Sequence, residues 1–451
     1  MKNEKYIIVG AGRSGIAAAK MLLALEKDIV IYDGNENLDT NAVIEKIGAN
    51  SALPFILGTD FENALNDVDV CVVSPGVPLD TPIMKAIAEK NIPVWSEIEL
   101  AFRYDKGTVL ALTGTNGKTT TTSLTYEIVK EMCEKTLLVG NIEIPYTGLA
   151  LESVNGGYTV AEISSFQLET MLTFKPYVSA ILNITPDHLD RHKTMENYIE
   201  IKKSIAKNQS ENDFCVLNFE DEVLREFGKT LKCQVMYFSS AHELENGVYY
   251  KDGDIILSEN GQKTVVVNVR DVKLVGIHNY ENIMAAVAIT HSAGVPLSII
   301  RDVVTRFVAV EHRIEFVEEI AGVKYYNDSK GTNTDAAIKA IDAMPSKTVL
   351  IAGGYDKKSD YTGWIEHLIG KCKLLLLMGQ TKENIAAACD KAGFTNYRFV
   401  ESMQQAVEVA AENAEKGECV LLSPACASWG MFKSYQQRGN IFKECVNKLK
   451  D

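Results

Sequence analysis

Gly114-Thr115-Asn116-Gly117-Lys118-Thr119-Thr120 decides how this chain is read. An apolar run, Val109 to Leu112, precedes it, and Thr121 to Met132 follows with the pattern of a helix. Strand, glycine loop and helix in that order form a cradle for nucleotide phosphates. Glycines let backbone N–H groups close on an anion, and the helix N-terminus adds partial positive charge. Lys118 is placed to reach the β and γ phosphates, and the Thr119 hydroxyl to ligate Mg²⁺. A glycine turn capped by threonines, holding no ligand, is the plainer alternative. The flanking strand and helix favour an ATP site.

Working outward, 451 residues exceed what one core serves, and about two to four domains are expected. Hydrophobic residues make up 46% and charged residues 24%, the balance of a soluble globular protein. No apolar run is long enough to cross a bilayer; even Ile283 to Ile289 is only about two helical turns. Met1-Lys2-Asn3-Glu4-Lys5 leads straight into a short strand with no signal-peptide core, so a cytoplasmic location is expected. Nine cysteines are scattered without CxxC spacing, which suggests neither zinc nor a disulfide frame. A net charge of −14 argues against general nucleic-acid binding, though not against a local basic pocket.

The pattern predicts three α/β units, 1–93, 94–309 and 310–451. In the first, Tyr6 to Val9 reads as a buried strand. Gly10-Ala11-Gly12-Arg13-Ser14-Gly15 turns from it into a helix, Ile16 to Glu26. A second strand, Ile29 to Tyr32, ends at Asp33, which completes a dinucleotide-type βαβ fingerprint. Taken alone this favours NAD or FAD. Val70 to Val73 opens into Ser74-Pro75-Gly76, where strand ends meet ligands in open α/β sheets. The second unit has parallel strands at Thr136 to Val139, Tyr158 to Ile163 and Val178 to Ile184. Val248 to Val267 reads as short antiparallel pieces turning at Asp252-Gly253 and Asn260-Gly261. The third repeats the alternation, with strands Val349 to Ala352, Leu374 to Met378 and Val420 to Leu422.

Several side chains sit where chemistry would need them. Glu162 leaves a strand beside the phosphate loop, the expected place for a second metal contact. His188, in Asn183-Ile184-Thr185-Pro186-Asp187-His188-Leu189-Asp190-Arg191-His192, follows another strand end. It is either a ligand in the same crevice or a solvated loop histidine. Arg313 can donate a planar fork to phosphate oxygens. In Asn327-Asp328-Ser329-Lys330-Gly331-Thr332-Asn333, Lys330 can neutralise charge on a transferred phosphate with Asp328 positioning it. The same stretch also reads as a capped turn into a helix at Thr334.

The loop departs from the commonest phosphate-loop spacing: Gly114 and Gly117 enclose only Thr115 and Asn116. This short form resembles the nucleotide loop of the Mur ligases and folylpolyglutamate synthetases, which join an amino acid to a carboxylate through an acyl phosphate. Glu162-Ile163-Ser164-Ser165-Phe166-Gln167-Leu168-Glu169 and the segment Asn183 to Asp190 resemble Mur ligase central motifs. Ser423-Pro424-Ala425-Cys426-Ala427-Ser428, with Gln437-Arg438-Gly439, resembles the D-glutamate-adding branch of that family. A folylpolyglutamate synthetase would lack the unit ahead of the loop, and the Asp-Asn-Pro-Arg motif of the diamino-acid-adding branch is missing.

The resemblance implies more than the residues alone. It implies ATP and Mg²⁺, with UDP-N-acetylmuramoyl-L-alanine and D-glutamate as substrates, a monomer, and a role in peptidoglycan precursor synthesis. The first unit would then hold the UDP moiety through Arg13, Ser14, Asp33, Ser74 and Gly76. Lys202, four residues after Tyr198, would be carbamylated and join Thr119, Glu162 and His188 around the metal. Asn141, Ser164 and His188 would serve the acyl group. Asn279 and Asn282 would lie on the adenine side, with Arg313 and Asp328 towards the nucleotide. D-Glutamate would meet Lys330, Thr332, Lys357, Ser428 and Tyr435. A nicotinamide oxidoreductase would leave the ATP loop without a use. A non-catalytic ATP switch would leave Glu162, His188 and the third unit without one.

Overall fold

The computed structural model describes residues 4–49, 53–59, 61–142, 144–274, 276–308, 311–356 and 359–450. The chain forms two compact units, one of residues 1–271 and 281–306, the other of 272–280 and 307–451.

The first unit contains two sheets. One is wholly parallel, built from β1 (Lys5–Val9), β2 (Asp28–Asp33), β3 (Phe55–Leu57), β4 (Val70–Val73) and β5 (Val94–Ser96) in the order β3-β2-β1-β4-β5. Its strands are apolar runs because helices cover both faces. Val9 pairs with Tyr32 on one side and Val73 on the other, so the glycine loop leaves β1 between the ends of β2 and β4. The sequence reading changed unit at 93/94, but this sheet continues through Ser96. The helix after the loop begins at Arg13 rather than Ile16, since Ile16 N–H already bonds to Gly12 O. A Cβ on Gly15 would lie 1.8 Å from Gly10 O, so helix and strand meet only over a glycine.

The second sheet has nine strands: β6 (Thr108–Thr113), β7 (Thr136–Gly140), β8 (Tyr158–Glu162), β9 (Val178–Ile181), β10 (Phe214–Asn218), β11 (Gln234–Ser239), β12 (Gly247–Lys251), β13 (Asp254–Glu259) and β14 (Gln262–Asn268). Their order is β14-β13-β12-β11-β10-β9-β6-β8-β7, parallel from β7 to β12 and antiparallel beyond. The hairpin turns fall at Asp252-Gly253 and Asn260-Gly261, with all four residues at positive φ. That is the backbone a two-residue turn needs to match strand twist, and Asn-Gly or Asp-Gly supplies it.

The second unit holds a six-stranded sheet: β15 (Glu315–Ile320), β16 (Val323–Asn327), β17 (Thr348–Gly354), β18 (Cys372–Gly379), β19 (Tyr397–Phe399) and β20 (Cys419–Leu422). In the order β15-β16-β20-β17-β18-β19 only β15 runs antiparallel, a strand the sequence pattern did not reveal. Buried aliphatics on both faces, among them Leu350, Leu375 and Leu421 on one and Val349, Leu376 and Val420 on the other, pack it between helices. Among the described residues no helix is long and apolar enough to cross a membrane.

Candidate active site

The phosphate loop lies at the end of β6, flanked by the ends of β8 and β9. Its helix starts at Lys118, three residues earlier than expected, with Gly117 as N-cap at φ +83. A Cβ on Gly117 would stand 2.2 Å from Asn282 Oδ1. Asn183, just beyond β9, braces the loop from outside: Oδ1 accepts from Asn116 N–H at 2.8 Å and Nδ2 donates to Asn116 O at 3.1 Å. Thr115 Oγ1 meets Tyr198 OH at 3.1 Å and Thr185 N–H at 3.0 Å. Thr119 and Thr120 are buried at the helix start. Thr121 Oγ1 donates to Asn282 Oδ1 at 3.3 Å. Asn183, Thr185 and Tyr198 had no assigned role in the sequence reading; the only signal was their place in motifs at strand ends.

Two lysine side chains converge here. Lys118 Nζ donates to Gly114 O and Thr115 O, each at 2.9 Å, and Lys202 Nζ donates to Gly114 O at 2.8 Å. Lys202 is buried on the helix Met195–Lys203, over the Tyr198 ring. Burial, with the nearby Lys118 charge, holds its amine well below the usual lysine range. Lys203, its neighbour, pairs instead with Glu200.

Glu162 ends β8 as a buried carboxylate. Its Oε1 accepts from Asn141 Nδ2 at 2.9 Å, and its Oε2 is buried without a hydrogen-bond partner. An orphaned buried carboxylate oxygen is costly unless a cation meets it, so it fits a metal contact. Ser164 caps the short helix after β8 in a capping box with Gln167. His188 is exposed and left-handed at φ 52, its ring 4.9 Å from that of Phe166 and its Nε2 3.6 Å from Asp187 Oδ2. Among the described residues no three His, Cys, Asp or Glu side chains gather as a ready metal cage.

At the other glycine loop, Gly10 takes φ +100 and Ser74 Oγ donates to its carbonyl at 3.1 Å. Asp33 accepts from Ala11 N–H at 2.9 Å and Asn35 N–H at 3.0 Å, so both carboxylate oxygens brace the turn. Arg13 leaves the helix start towards Ile142 O at 3.4 Å. Ser14 and Gly76 lie on this rim, the first partly exposed and the second exposed.

The second unit gathers the remaining candidates at strand ends. Asp328, past β16, accepts from Ser423 Oγ at 2.7 Å and Ile314 N–H at 3.3 Å; burial lifts its carboxyl to about 6 despite Arg313 nearby. Arg313 has its Nε buried without a hydrogen-bond partner. Lys330 Nζ lies 5.6 Å over the Tyr435 ring, and Thr332 N–H bonds to Lys330 O. Ser428 is buried beyond β20. Arg438, also buried, ties Ser329 Oγ and O to Cys426 O, a knot between two stretches that carry the family resemblance, though Arg438 itself was assigned no role. Asn279 is buried on the helix Ile277–Ser292. Lys357 falls outside the described residues.

Three family models match in succession: the Mur ligase MurD-like N-terminal domain over residues 4–96, the Mur ligase middle domain over 112–290, and the Mur ligase glutamate ligase domain over 312–426. A UDP-N-acetylmuramoylalanine–D-glutamate ligase of Lachnospira eligens is 52% identical over all of both chains. The enzyme of that name from Clostridioides difficile is 42% identical, again covering all of both. Among solved structures, the UDP-N-acetylmuramate–alanine ligase of Thermotoga maritima aligns over 99% of each chain with a TM-score of 0.61 and 18% identity. A MurF ligase from the same organism, in complex with ADP, gives 0.59 at 17% identity over 99% of this chain and 96% of its own. These two likenesses concern the fold.

Proposed function

The chain belongs to the Mur ligase family, and from that premise we propose that it joins D-glutamate to UDP-N-acetylmuramoyl-L-alanine at the expense of ATP. The product is a peptidoglycan precursor, made in the cytoplasm by a monomeric enzyme. The observation that carries the reading is the strand-end cluster at the phosphate loop. There a buried amine of depressed basicity, Lys202, and a buried carboxylate oxygen without a partner, on Glu162, flank Lys118 and Thr119. The names of the full-length relatives support the choice of substrates.

The chemistry follows from those side chains. The alanyl carboxylate attacks the γ-phosphoryl of ATP, giving an acyl phosphate and ADP, while Lys118 and Lys330 offset developing negative charge. The D-glutamate amine then adds to the acyl carbon, loses a proton, and expels phosphate to leave the amide. Mg²⁺, held by Thr119, Glu162, His188 and Lys202 as its carbamate, would supply charge neutralisation at the transferring phosphoryl group. An unmodified ammonium would repel that ion, whereas a neutral buried amine adds to CO₂, forming an N–C bond and releasing one proton. Asn141 orients Glu162, and with Ser164 and His188 it steadies the acyl end. Arg13, Ser14, Asp33, Ser74 and Gly76 hold the UDP end, and Asn279, Asn282, Arg313 and Asp328 hold the nucleotide of ATP. Lys330, Thr332, Lys357, Ser428 and Tyr435 receive the dicarboxylate, which needs cations and hydroxyl donors.

The test is phosphate release with each substrate omitted in turn. Release that needs ATP, the UDP-sugar and D-glutamate together is expected. Turnover with a nicotinamide, or ATP hydrolysis indifferent to D-glutamate, would overturn the reading. In Lys118→Ala, acyl-phosphate formation should fall by roughly 10²-fold or more while calorimetry still detects UDP-sugar binding.

A further inference from the structure

The segment after β8 and the loop after β4 are joined by one side chain that the chemistry above does not use. Arg191 donates Nη1 to Pro75 O at 3.0 Å and Nη2 to Val77 O at 3.0 Å. The same guanidinium meets Glu169 through Nε to Oε1 at 3.2 Å and Nη2 to Oε2 at 2.6 Å, and lies 4.5 Å over the Phe166 ring. Glu169 also faces the buried His192, whose Nδ1 stands 3.4 Å from Oε1 and whose Nε2 meets Ser165 Oγ at 2.9 Å. Thus one carboxylate anchors the arginine that grips the loop next to Ser74 and faces the histidine that meets Ser165, the neighbour of Ser164. Ser74 in turn bonds to Gly10 O inside the first glycine loop.

We propose that Arg191, seated on Glu169, is a positioning residue that sets the 74–77 loop against the catalytic strand ends and so governs affinity for the UDP-sugar. The proposal rests on the reading of that loop as the UDP-sugar site. It needs a planar fork: two carbonyls and a carboxylate are met at once by guanidinium N–H groups in one plane, a pattern lysine cannot reproduce. A cavity of about 700 Å³, walled by Pro78, Leu79, Glu169, Arg191 and Lys193, opens beside it and gives small solutes access.

Steady-state kinetics on Arg191→Lys, Arg191→Ala and Glu169→Gln test this. Arg191→Lys should raise KM for the UDP-sugar about tenfold or more, with KM for ATP and D-glutamate unchanged and kcat lowered less. Glu169→Gln keeps the shape but loses the charge and should shift the same KM more mildly. For Arg191→Ala, guanidinium at millimolar, non-denaturing concentration should recover part of the UDP-sugar affinity. Equal rises in all three KM values, a fall in kcat alone, or no response to guanidinium would overturn the proposal. Failure of the underlying reading would look different, because the unaltered enzyme would then not need the UDP-sugar at all.

Discussion

At the scale of single residues, Gly117 and Lys202 answer to different forces. Gly117 sits at φ +83, and a Cβ there would stand 2.2 Å from Asn282 Oδ1, so Gly117→Ala is both strained and crowded. ATP affinity should fall by about tenfold or more while UDP-sugar binding persists, which calorimetry can check. Unchanged ATP affinity would mean the loop relaxes freely. Lys202→Ala should nearly abolish ligation, and acetate or formate should restore part of it by returning a carboxylate to the space. Lys203→Ala should be far milder, since that side chain pairs with Glu200 on the surface. The placement of Lys118, Thr119 and Glu162 at a loop and a strand end was legible in the sequence because loop spacing and strand ends are local signals. Asn183, Tyr198 and Arg191 were not, because their partners are 67, 83 and 116 positions away.

At the scale of elements, the helix Glu97–Phe102 begins with a buried carboxyl group. Burial lifts Glu97 from about 4.5 to about 7, although Thr147 donates to it from both N–H and Oγ and Arg13 is near. Between those values the folded chain holds a proton that the unfolded chain has lost. The contribution to stability is therefore full at low pH and declines as pH rises through 7. Thermal unfolding of Glu97→Gln, compared with the parent from pH 5 to 8, should show a shallower decline. An unaltered slope would mean Glu97 is ionised throughout. The hairpins from β12 to β14 illustrate what elements disclose in advance, since Asp-Gly and Asn-Gly fix the turn without outside help. β15 stayed hidden because its alternating, charged, edge-strand residues carry little apolar signal.

For the whole molecule, alternating strands and helices made the α/β class readable from apolar runs alone. Two of the three stretches read from the sequence fall within one compact unit, and residues 272–280 group with 307–451. Burial has a collective consequence for the cysteines: eight of the nine are buried and Cys133 is partly exposed. A thiol reagent should label Cys133 first and the other eight only on unfolding. Rapid labelling of several in the native protein would contradict this burial. The seclusion of Lys202 has a kinetic corollary as well. Exchange of labelled CO₂ at the proposed Lys202 carbamate cannot outrun the fluctuations that uncover the amine, so its rate sets a lower bound on how often the helix Met195–Lys203 lifts from the loop. A gas, in that case, reports on breathing.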